Sequence, residues 1–324
     1  MRERATARAG AAPRTVGQPD PPARALPSGE QIELRAGTQR VVVVEVGAGL
    51  RSYAAGAHEV LDGYGEDEMA SAGRGQVLIP WPNRLQDGTY EFAGKQHQLP
   101  LDEPEAGNAI HGLVRWVPWS AGVRTADRVV MEYTLHPQPG YPFSLALSVE
   151  YALSERGLRV KSTATNLGRE ACPYGSGQHP YLTVGTPTVD TVRLRAPGRT
   201  MLRVDTRGIP VGVTPVEGTE YDFRQPRVIG STKLDNAYTD LERDADGLAR
   251  VQLQHPNGGP TVSVWLDASY RYLQLFTGDS QPSVNRRSLA VESMTCSPNA
   301  FRTGEGLLVL EPGQSTAAEW GIEV

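Results

Sequence analysis

The 324-residue sequence has few cysteines and no long run of apolar residues. Its two cysteines, Cys172 and Cys296, are too few for a disulfide scaffold and lack the C-x-x-C spacing of a zinc site. They favour a reducing, cytoplasmic compartment. Nowhere do ~18 apolar residues follow one another, which is the length that a membrane-spanning helix needs. We therefore expect no membrane partner.

The charged residues show no excess of either sign large enough to mark a polyanionic or polycationic partner. The formal net charge is −5, and the 32 Lys and Arg residues are scattered rather than gathered into one stripe. A nucleic-acid footprint would concentrate them on one face. The pattern argues against a nucleic-acid partner and favours a small molecule.

Familiar catalytic signatures are also missing. The chain has no H-E-x-x-H pair, no P-loop ending in Gly-Lys-Ser/Thr and no G-x-S-x-G turn. What remains are isolated His, Asp and Glu residues that the fold must bring together, a pattern typical of cofactor-free acid–base catalysis. We expect neither a cofactor nor a metal ion.

The residues that are present predict an all-β protein. From residue 32 onward, apolar residues recur with a period of two and are punctuated by Gly and Pro. In "SLALSVEYAL", Ser144–Leu153, the apolar side chains share one face and the polar ones the other, as in an antiparallel strand with one wet face. The segments predicted as strands are 40–46, 128–135, 144–153, 158–166, 261–268, 272–278 and 306–313.

The chain shows no internal linker and no repeat, so residues 32–324 are predicted to form a single large antiparallel β-sandwich domain. Residues 1–31 are rich in Ala, Arg, Pro and Gly and contain no apolar block, which predicts a disordered tail without a secretory signal. The only segment that favours a short helix is "LDNAYTDLE", residues 234–242.

"NRLQDGTYEFAGKQHQL" predicts a hairpin, because Asp87-Gly88 and Ala93-Gly94 supply turns around alternating residues. The hairpin places Asn83 and Arg84 at a strand edge, where Arg84 is either a surface charge or a binding residue.

Two of the six histidines are candidates for chemistry. His111 lies in "GNAIHGLVRW" and His179 in "GSGQHPYL", both among glycines, where each either caps a loop carbonyl or serves a site. The other four, in turns or polar runs, are predicted to be surface residues: His58, His97, His136 and His255.

Glu292 is the most informative acid, because "SLAVESM" is otherwise apolar and burial raises the pKa of a carboxyl group towards neutrality. It is either a base that works near pH 7 or a structural partner of Arg286 or Arg302. Asp235 is either a binding residue or the cap of the short helix. Five aromatic residues are expected mostly in the core, although one flat ring lining a sugar pocket would be typical of carbohydrate recognition: Trp81, Trp116, Trp119, Phe276 and Trp320.

Six strings stand out in order along the chain: "WPNRLQDGTYEFAGKQHQLPLDEP", "GNAIHGLVRWVPW", "GSGQHPYL", "LDNAYTDL", "LQLFTGD" and "AVESMTCSPNAFRTGEGLLVLEPGQS". Together they resemble the aldose 1-epimerase, or galactose mutarotase, family from about residue 32 to the end. The resemblance implies a β-sandwich of the galactose mutarotase type and interconversion of the α and β anomers of a free monosaccharide. "HPYL" and "HGLVRWVPW" look most like a bacterial subgroup that includes sulfoquinovose mutarotase.

Carried over by position, the resemblance implies that Glu292 is the general base, His179 the general acid and His111 a stabilising, sugar-binding histidine. Arg84, Asn83 and Asp235 match residues that hold sugar hydroxyls, and Phe276 matches an aromatic position near the ring.

The implied reaction removes the proton of the anomeric hydroxyl while protonating the ring oxygen, with the two groups on opposite sides and a histidine of ordinary pKa, about 6.5. The alternatives are a hexose-6-phosphate or sulfoquinovose mutarotase, with Arg115 holding the anion, a non-catalytic sugar-binding module, and a metal hydrolase. The protein is expected as a monomer or homodimer.

Overall fold

The computed structural model describes residues 25–259 and 261–324, and strands dominate this part of the chain. The strands in chain order are β1 (Gln31–Ala36), β2 (Gln39–Val44), β3 (Leu50–Ala55), β4 (His58–Glu59), β5 (Val77–Leu78), β6 (Arg84–Gln86), β7 (Thr89–Phe92), β8 (Lys95–Gln98), β9 (Asn108–Ile110), β10 (Ser120–Arg124), β11 (Arg128–Leu135), β12 (Leu145–Ser154), β13 (Gly157–Asn166), β14 (Cys172–Tyr174), β15 (Gly177–Gln178), β16 (Tyr181–Leu182), β17 (Arg193–Arg195), β18 (Gly198–Val204), β19 (Pro210–Pro215), β20 (Arg227–Val228), β21 (Asp235–Leu241), β22 (Ala249–Gln254), β23 (Thr261–Leu266), β24 (Tyr272–Phe276), β25 (Leu289–Met294), β26 (Leu308–Leu310) and β27 (Ser315–Glu323). A 3₁₀ turn (Val189–Thr191) and a single helical turn, α1 (Ala300–Thr303), complete the list.

Two large sheets form the sandwich. A nine-stranded sheet runs β10-β11-β12-β13-β27-β23-β22-β17-β20, and an eight-stranded sheet runs β19-β18-β21-β24-β25-β15-β5, with β16 also paired to β25. One hydrophobic cluster joins residues of both sheets, such as Val149 and Leu273, with Val41 of the four-stranded sheet β1-β2-β3-β4. All these strand pairs are antiparallel, which confirms the predicted all-β antiparallel architecture.

The regular strands lie where alternation predicts them. β12 buries every second residue from Leu145 to Leu153, and β11 has the predicted bounds. The hairpin β7–β8 is also present, with positive φ angles at the residues of both predicted turns, Asp87-Gly88 and Ala93-Gly94. Local pattern therefore decides the outer framework.

Two expectations about the framework are wrong. The segment predicted as a short helix, residues 234–242, is strand β21, because β18 and β24 pair with it on either side and bury Ala237 and Tyr238. The expected tail boundary is also too late. Residues 1–24 lie outside the described part, but Gln31 already belongs to β1, and the Ser28 carbonyl accepts a hydrogen bond from the amide of Val46.

Short, irregular strands position the candidate site. β24 and β25 place Gln274 opposite Glu292, and β15, which ends one residue before His179, pairs with the other edge of β25. β6 pairs with β9 so that Arg84 lies opposite Ile110, next to His111. A search of the described residues finds no helix that is both long and apolar enough to cross a membrane.

Candidate active site

A cavity of about 250 Å³ brings the predicted site residues together. Its buried end, here called the inner end, is formed by His111, His179 and Glu292, whereas its rim includes the exposed residues Asp102, Trp116, Ser280 and Gln281. All seven residues that the sequence predicts for the site line this cavity: Asn83, Arg84, His111, His179, Asp235, Phe276 and Glu292.

Glu292 and His179 form a close pair at the inner end. Glu292 Oε1 lies 3.4 Å from His179 Nε2, and the two residues are 3% and 4% exposed. The other two atoms of the pair, Glu292 Oε2 and His179 Nδ1, are buried and have no hydrogen-bond partner among the described residues. The two groups lie side by side and not, as expected, on opposite sides of a bound ring.

Burial determines how many protons this pair holds and which group carries them. It raises the pKa of Glu292 to about 8, helped by the negative charge of Asp235 and opposed by Arg84. Burial also lowers the pKa of His179 to about 3, so the ordinary value expected for this histidine is wrong. At pH 7 the pair therefore holds one proton, and that proton sits on the carboxyl group.

Three neighbours fix the ring of His179. Tyr181 stacks on it with ring centroids 5.1 Å apart, and the ring of His111 meets it edge-on at 5.3 Å. Gly73 packs against the ring so closely that a Cβ atom there would come within 2.6 Å of His179 Cδ2. The imidazole is thus oriented by packing alone on these sides.

His111 and Asn83 hold each other in strained backbone conformations. Both residues have positive φ angles, 63° and 58°, in the region that non-glycine residues rarely adopt. The amide of His111 donates to the Asn83 carbonyl, and the amide of Asn83 donates to His111 Nδ1. Because Nδ1 accepts a hydrogen bond, the neutral imidazole carries its hydrogen on Nε2. Burial and the neighbouring His179 lower the pKa of His111, which keeps it in this neutral form.

The same three inner-end residues come close enough to raise the question of a metal site. One ligand atom from each of His111, His179 and Glu292 lies within 4.8 Å of the others. A metal-bound histidine, however, donates its second ring N–H to an acceptor. Nδ1 of His111 faces an amide donor instead, so its chemistry fits a hydrogen-bond donor to a ligand better than a metal ligand.

Asp235 and Gln274 form a polar wall beside the pair. Gln274 Nε2 donates to Asp235 Oδ1 at 2.7 Å, from the strand that also carries Phe276 at the cavity edge. Asp235 begins a strand, so its alternative role as a helix cap is wrong. Its exposed carboxylate faces the cavity and can accept hydrogen bonds from sugar hydroxyls.

Arg84 is paired with an acid that the sequence analysis missed. Its Nε and Nη2 both donate to the carboxylate of Glu103, each at 2.9 Å in the shortest contact. This fork-to-carboxylate geometry fixes the guanidinium plane. Glu103 sits in a Pro-rich loop without any local signal, and only the fold shows the pairing. The ion pair with Glu103 therefore fixes Arg84 in the cavity wall, and Arg84 is not a free surface charge.

The predicted tryptophans lie either in the core or at the rim of the cavity. Trp81, Trp119 and Trp320 are buried as expected, whereas Trp116 is 50% exposed at the rim. The guanidinium of Arg115 lies 5.9 Å from the Trp116 ring centroid, and Asp102 binds that guanidinium at 2.7 Å.

The alternatives for the charged and imidazole residues are also decided by contacts. Glu292 contacts neither arginine offered as its structural partner, since Arg286 pairs with Asp190 and Asp279, and Arg302 pairs with Asp87. Of the four other histidines, His58 and His136 are exposed, and His97 and His255 are half-buried.

A protein-family model described as aldose 1-epimerase matches residues 30–323. The chain belongs to the aldose 1-epimerase family. As an aldose 1-epimerase it is an isomerase that acts on a sugar, which confirms the enzyme class implied by the sequence resemblance.

Relatives of this aldose 1-epimerase support the same placement. The Escherichia coli protein named uncharacterized protein YihR is 37% identical over 289 residues, which are 89% of this chain and 91% of that protein. The maltose epimerase of Levilactobacillus brevis is 30% identical over 74% of this chain and 76% of its own length. The solved structure of a GalM/aldose epimerase homologue from C. elegans superimposes with a TM-score of 0.80 at 18% identity, covering 91% of this chain and 98% of that one, and confirms the galactose mutarotase-like fold.

Proposed function

We propose that this epimerase opens and recloses the ring of a neutral aldohexose, with Glu292 and His179 moving the protons. Glu292 removes the proton from O1 while His179 protonates O5, and the C1–O5 bond breaks to give the open-chain aldehyde. Rotation about C1–C2 followed by the reverse transfers closes the ring as the other anomer. The supporting observation is the 3.4 Å separation of Oε1 and Nε2, because O1 and O5 are bonded to one carbon and need adjacent partners.

The proposal requires the single proton of the pair to sit on His179 when ring opening starts. Burial alone favours the proton on the carboxyl group. Moving the proton from the carboxyl group to Nε2 changes no net charge, and the ion pair that results is stabilised by its own short separation. His111 supports the sugar by donating from Nε2, and Asp235, Asn83 and Arg84 hold its hydroxyl groups. Phe276 packs near the ring.

The charge of the cavity favours a neutral sugar over a phosphorylated one. With Glu292 protonated, three carboxylates (Asp102, Glu103 and Asp235) and two guanidinium groups (Arg84 and Arg115) line it, a net charge of −1. Each guanidinium already pairs with a carboxylate, and a phosphate dianion would add repulsion without a new cation.

A sugar with a single sulfonate charge is the second candidate, and Arg115 favours it. The Nε atom of this wall residue is buried without a hydrogen-bond partner, and its partner Asp102 is exposed at the rim. Comparing the turnover of D-glucose and D-galactose with that of their 6-phosphates and of sulfoquinovose distinguishes these substrates.

The test of the reaction follows mutarotation of freshly dissolved α-D-glucose or α-D-galactose by polarimetry or NMR. We expect Glu292→Gln and His179→Asn each to lower kcat by about 10²- to 10⁴-fold, because each removes one positioned proton transfer. The matched controls Glu217→Gln and His136→Asn change exposed residues outside the cavity and should retain activity. Thermal unfolding checks that all four variants fold. Full activity of either inner-end variant contradicts the assignment.

We also infer a cytoplasmic location, since both cysteine thiols are free and buried. A single-domain organisation and a monomeric or homodimeric state remain predictions.

A further inference from the structure

The turn between β18 and β19 reaches the outside of the wall that carries Arg84. Its residue Arg207 donates from Nε to the Ala106 carbonyl and from Nη2 to the Gly107 carbonyl, each at 2.7 Å. A third contact joins Nη2 to Asp87 Oδ1 at 2.8 Å. Arg207 does not line the cavity. Through these contacts it holds the loop that lies behind the cavity wall.

Asn108 connects Arg207 to Glu103. Its side chain is fully buried and bonds in two directions: Nδ2 donates to the Arg207 carbonyl at 2.9 Å and to Glu103 Oε2 at 2.8 Å. Its Oδ1 accepts from Arg207 Nη2 at 3.3 Å. A buried amide that has its partners on both sides has a single orientation, so the position of the turn fixes that of the Glu103 carboxylate.

Glu103 in turn binds Arg84 through both Nε and Nη2. The turn also touches Arg84 directly, because a Cβ atom on Gly208 would come within 2.6 Å of Arg84 Nη1. Gly208 has a φ of 76°, which a side chain would resist as well. The turn therefore contacts Arg84 at Nη1 and, through Asn108 and Glu103, at Nε and Nη2.

We propose that Arg207 is a positioning residue that sets the orientation of Arg84 towards the sugar through Asn108 and Glu103. The inference rests on the proposed function, since it takes Arg84 as a residue that holds sugar hydroxyls. Arg84 would make the same contacts with the bound sugar and with the transition state. Loss of its orientation therefore weakens both equally and raises KM more than it lowers kcat.

The experiment uses Arg207→Met, with Arg203→Met as the matched control on the same hairpin, where Arg203 is exposed and outside the cavity. We expect Arg207→Met to raise KM for the preferred aldose about tenfold while kcat changes less than about threefold. Calorimetric binding of 1,5-anhydro-D-glucitol and 1,5-anhydro-D-galactitol, which cannot open, should weaken by a similar factor. Arg207→Lys should show the same loss if Arg207→Met does not fold, because an ammonium cannot donate as a fork to two carbonyls.

A double variant, Arg207→Met with Glu103→Gln, tests the route. Binding should be no more than about threefold weaker than in the weaker single variant, because both changes break one chain of contacts. Three results would each overturn the inference. The Arg207 and Arg203 variants could have equal KM and Kd values, or the two single effects on binding could multiply in the double variant. The third is a loss in Arg207→Met that is confined to kcat or to thermal stability. Absence of aldose turnover by the wild-type protein would instead refute the proposed function. The Kd values of the Arg207 and Arg203 variants for the two anhydro sugars would still test the role of Arg207, because binding needs no turnover.

Discussion

The inner end of the cavity and its rim differ in how their ionisable groups are held. At the inner end, Glu292, His179 and His111 are between 3% and 8% exposed, and burial shifts the pKa of each towards its neutral form. At the rim, Asp102 stays exposed and pairs with Arg115, which also lies over the half-exposed Trp116. At both places burial shifts pKa values towards the neutral form, but at the rim the ion pair between Asp102 and Arg115 opposes that shift.

The difference shows why one acid and one imidazole suffice for the proposed chemistry. A solvated Glu–His pair would hold exactly one proton only between the ordinary pKa values, 4.5 and 6.5. The buried pair holds one proton from about pH 3 to about pH 8, because burial disfavours both charged forms. Desolvation thus widens the pH range of the reactive protonation state.

Of the changes that test this comparison, a rise in pH should have the largest effect. The active pair keeps its one proton below the raised pKa of Glu292, about 8, and loses it above that value. We expect kcat/KM to be constant from pH 5 to 7 and to fall tenfold per pH unit above about pH 8, about 100-fold at pH 10. The rate is measured by polarimetry with the buffer-only rate subtracted at each pH, because spontaneous mutarotation is also pH-dependent.

A bell-shaped profile with its maximum between pH 4.5 and 6.5 would break the comparison, because the inner-end pair would then titrate like a solvated glutamate and histidine. Circular dichroism at each pH controls for unfolding. The profile does not depend on which group starts with the proton, since both arrangements hold the same number of protons.

Packing at the inner end predicts the next effect. Gly73→Ala would place a Cβ atom 2.6 Å from the ring of His179, so the ring must shift although Tyr181 stacks on it. A displacement approaching 1 Å should lower kcat about 10- to 100-fold. The measurement is kcat for the preferred aldose.

Gly56→Ala is the matched control for backbone strain. Gly56 has a similar positive φ, 60° against 77° at Gly73, but open space where the new Cβ would lie. Both variants should lose about 1–2 kcal/mol of unfolding free energy, and only Gly73→Ala should lose activity. Equal activities in the two would mean that the His179 ring tolerates movement.

Much of the framework is predictable from sequence because its signals are local. The alternation in β12 and the turn residues around β7 each predict the local structure from a stretch of at most about ten residues. β21 is different, because its sequence is ambiguous alone and pairing with β18 and β24 decides it. The strands that place His179 are only two residues long and leave no periodicity to detect.

The site was predictable only in part for a related reason. The isolated Glu292 in an apolar run indicates a desolvated acid, and its raised pKa agrees with this. No local pattern links Arg84 to Glu103, or Asn108 to Arg207 about 100 residues further along the chain. The lowered pKa of His179 likewise depends on residues brought over it by folding.

The rim should give the smallest effect. Trp116→Ala removes an exposed ring at the cavity mouth, where a sugar would gain only partial contact with it. An aromatic contact contributes about 0.5–1.5 kcal/mol, so KM should rise about 2- to 10-fold while kcat is retained. Leu167→Ala, an exposed apolar residue outside the cavity, is the control for loss of surface area. A loss in kcat as large as that of the inner-end variants would mean that Trp116 acts on the reacting centre, and the division between inner end and rim would no longer hold.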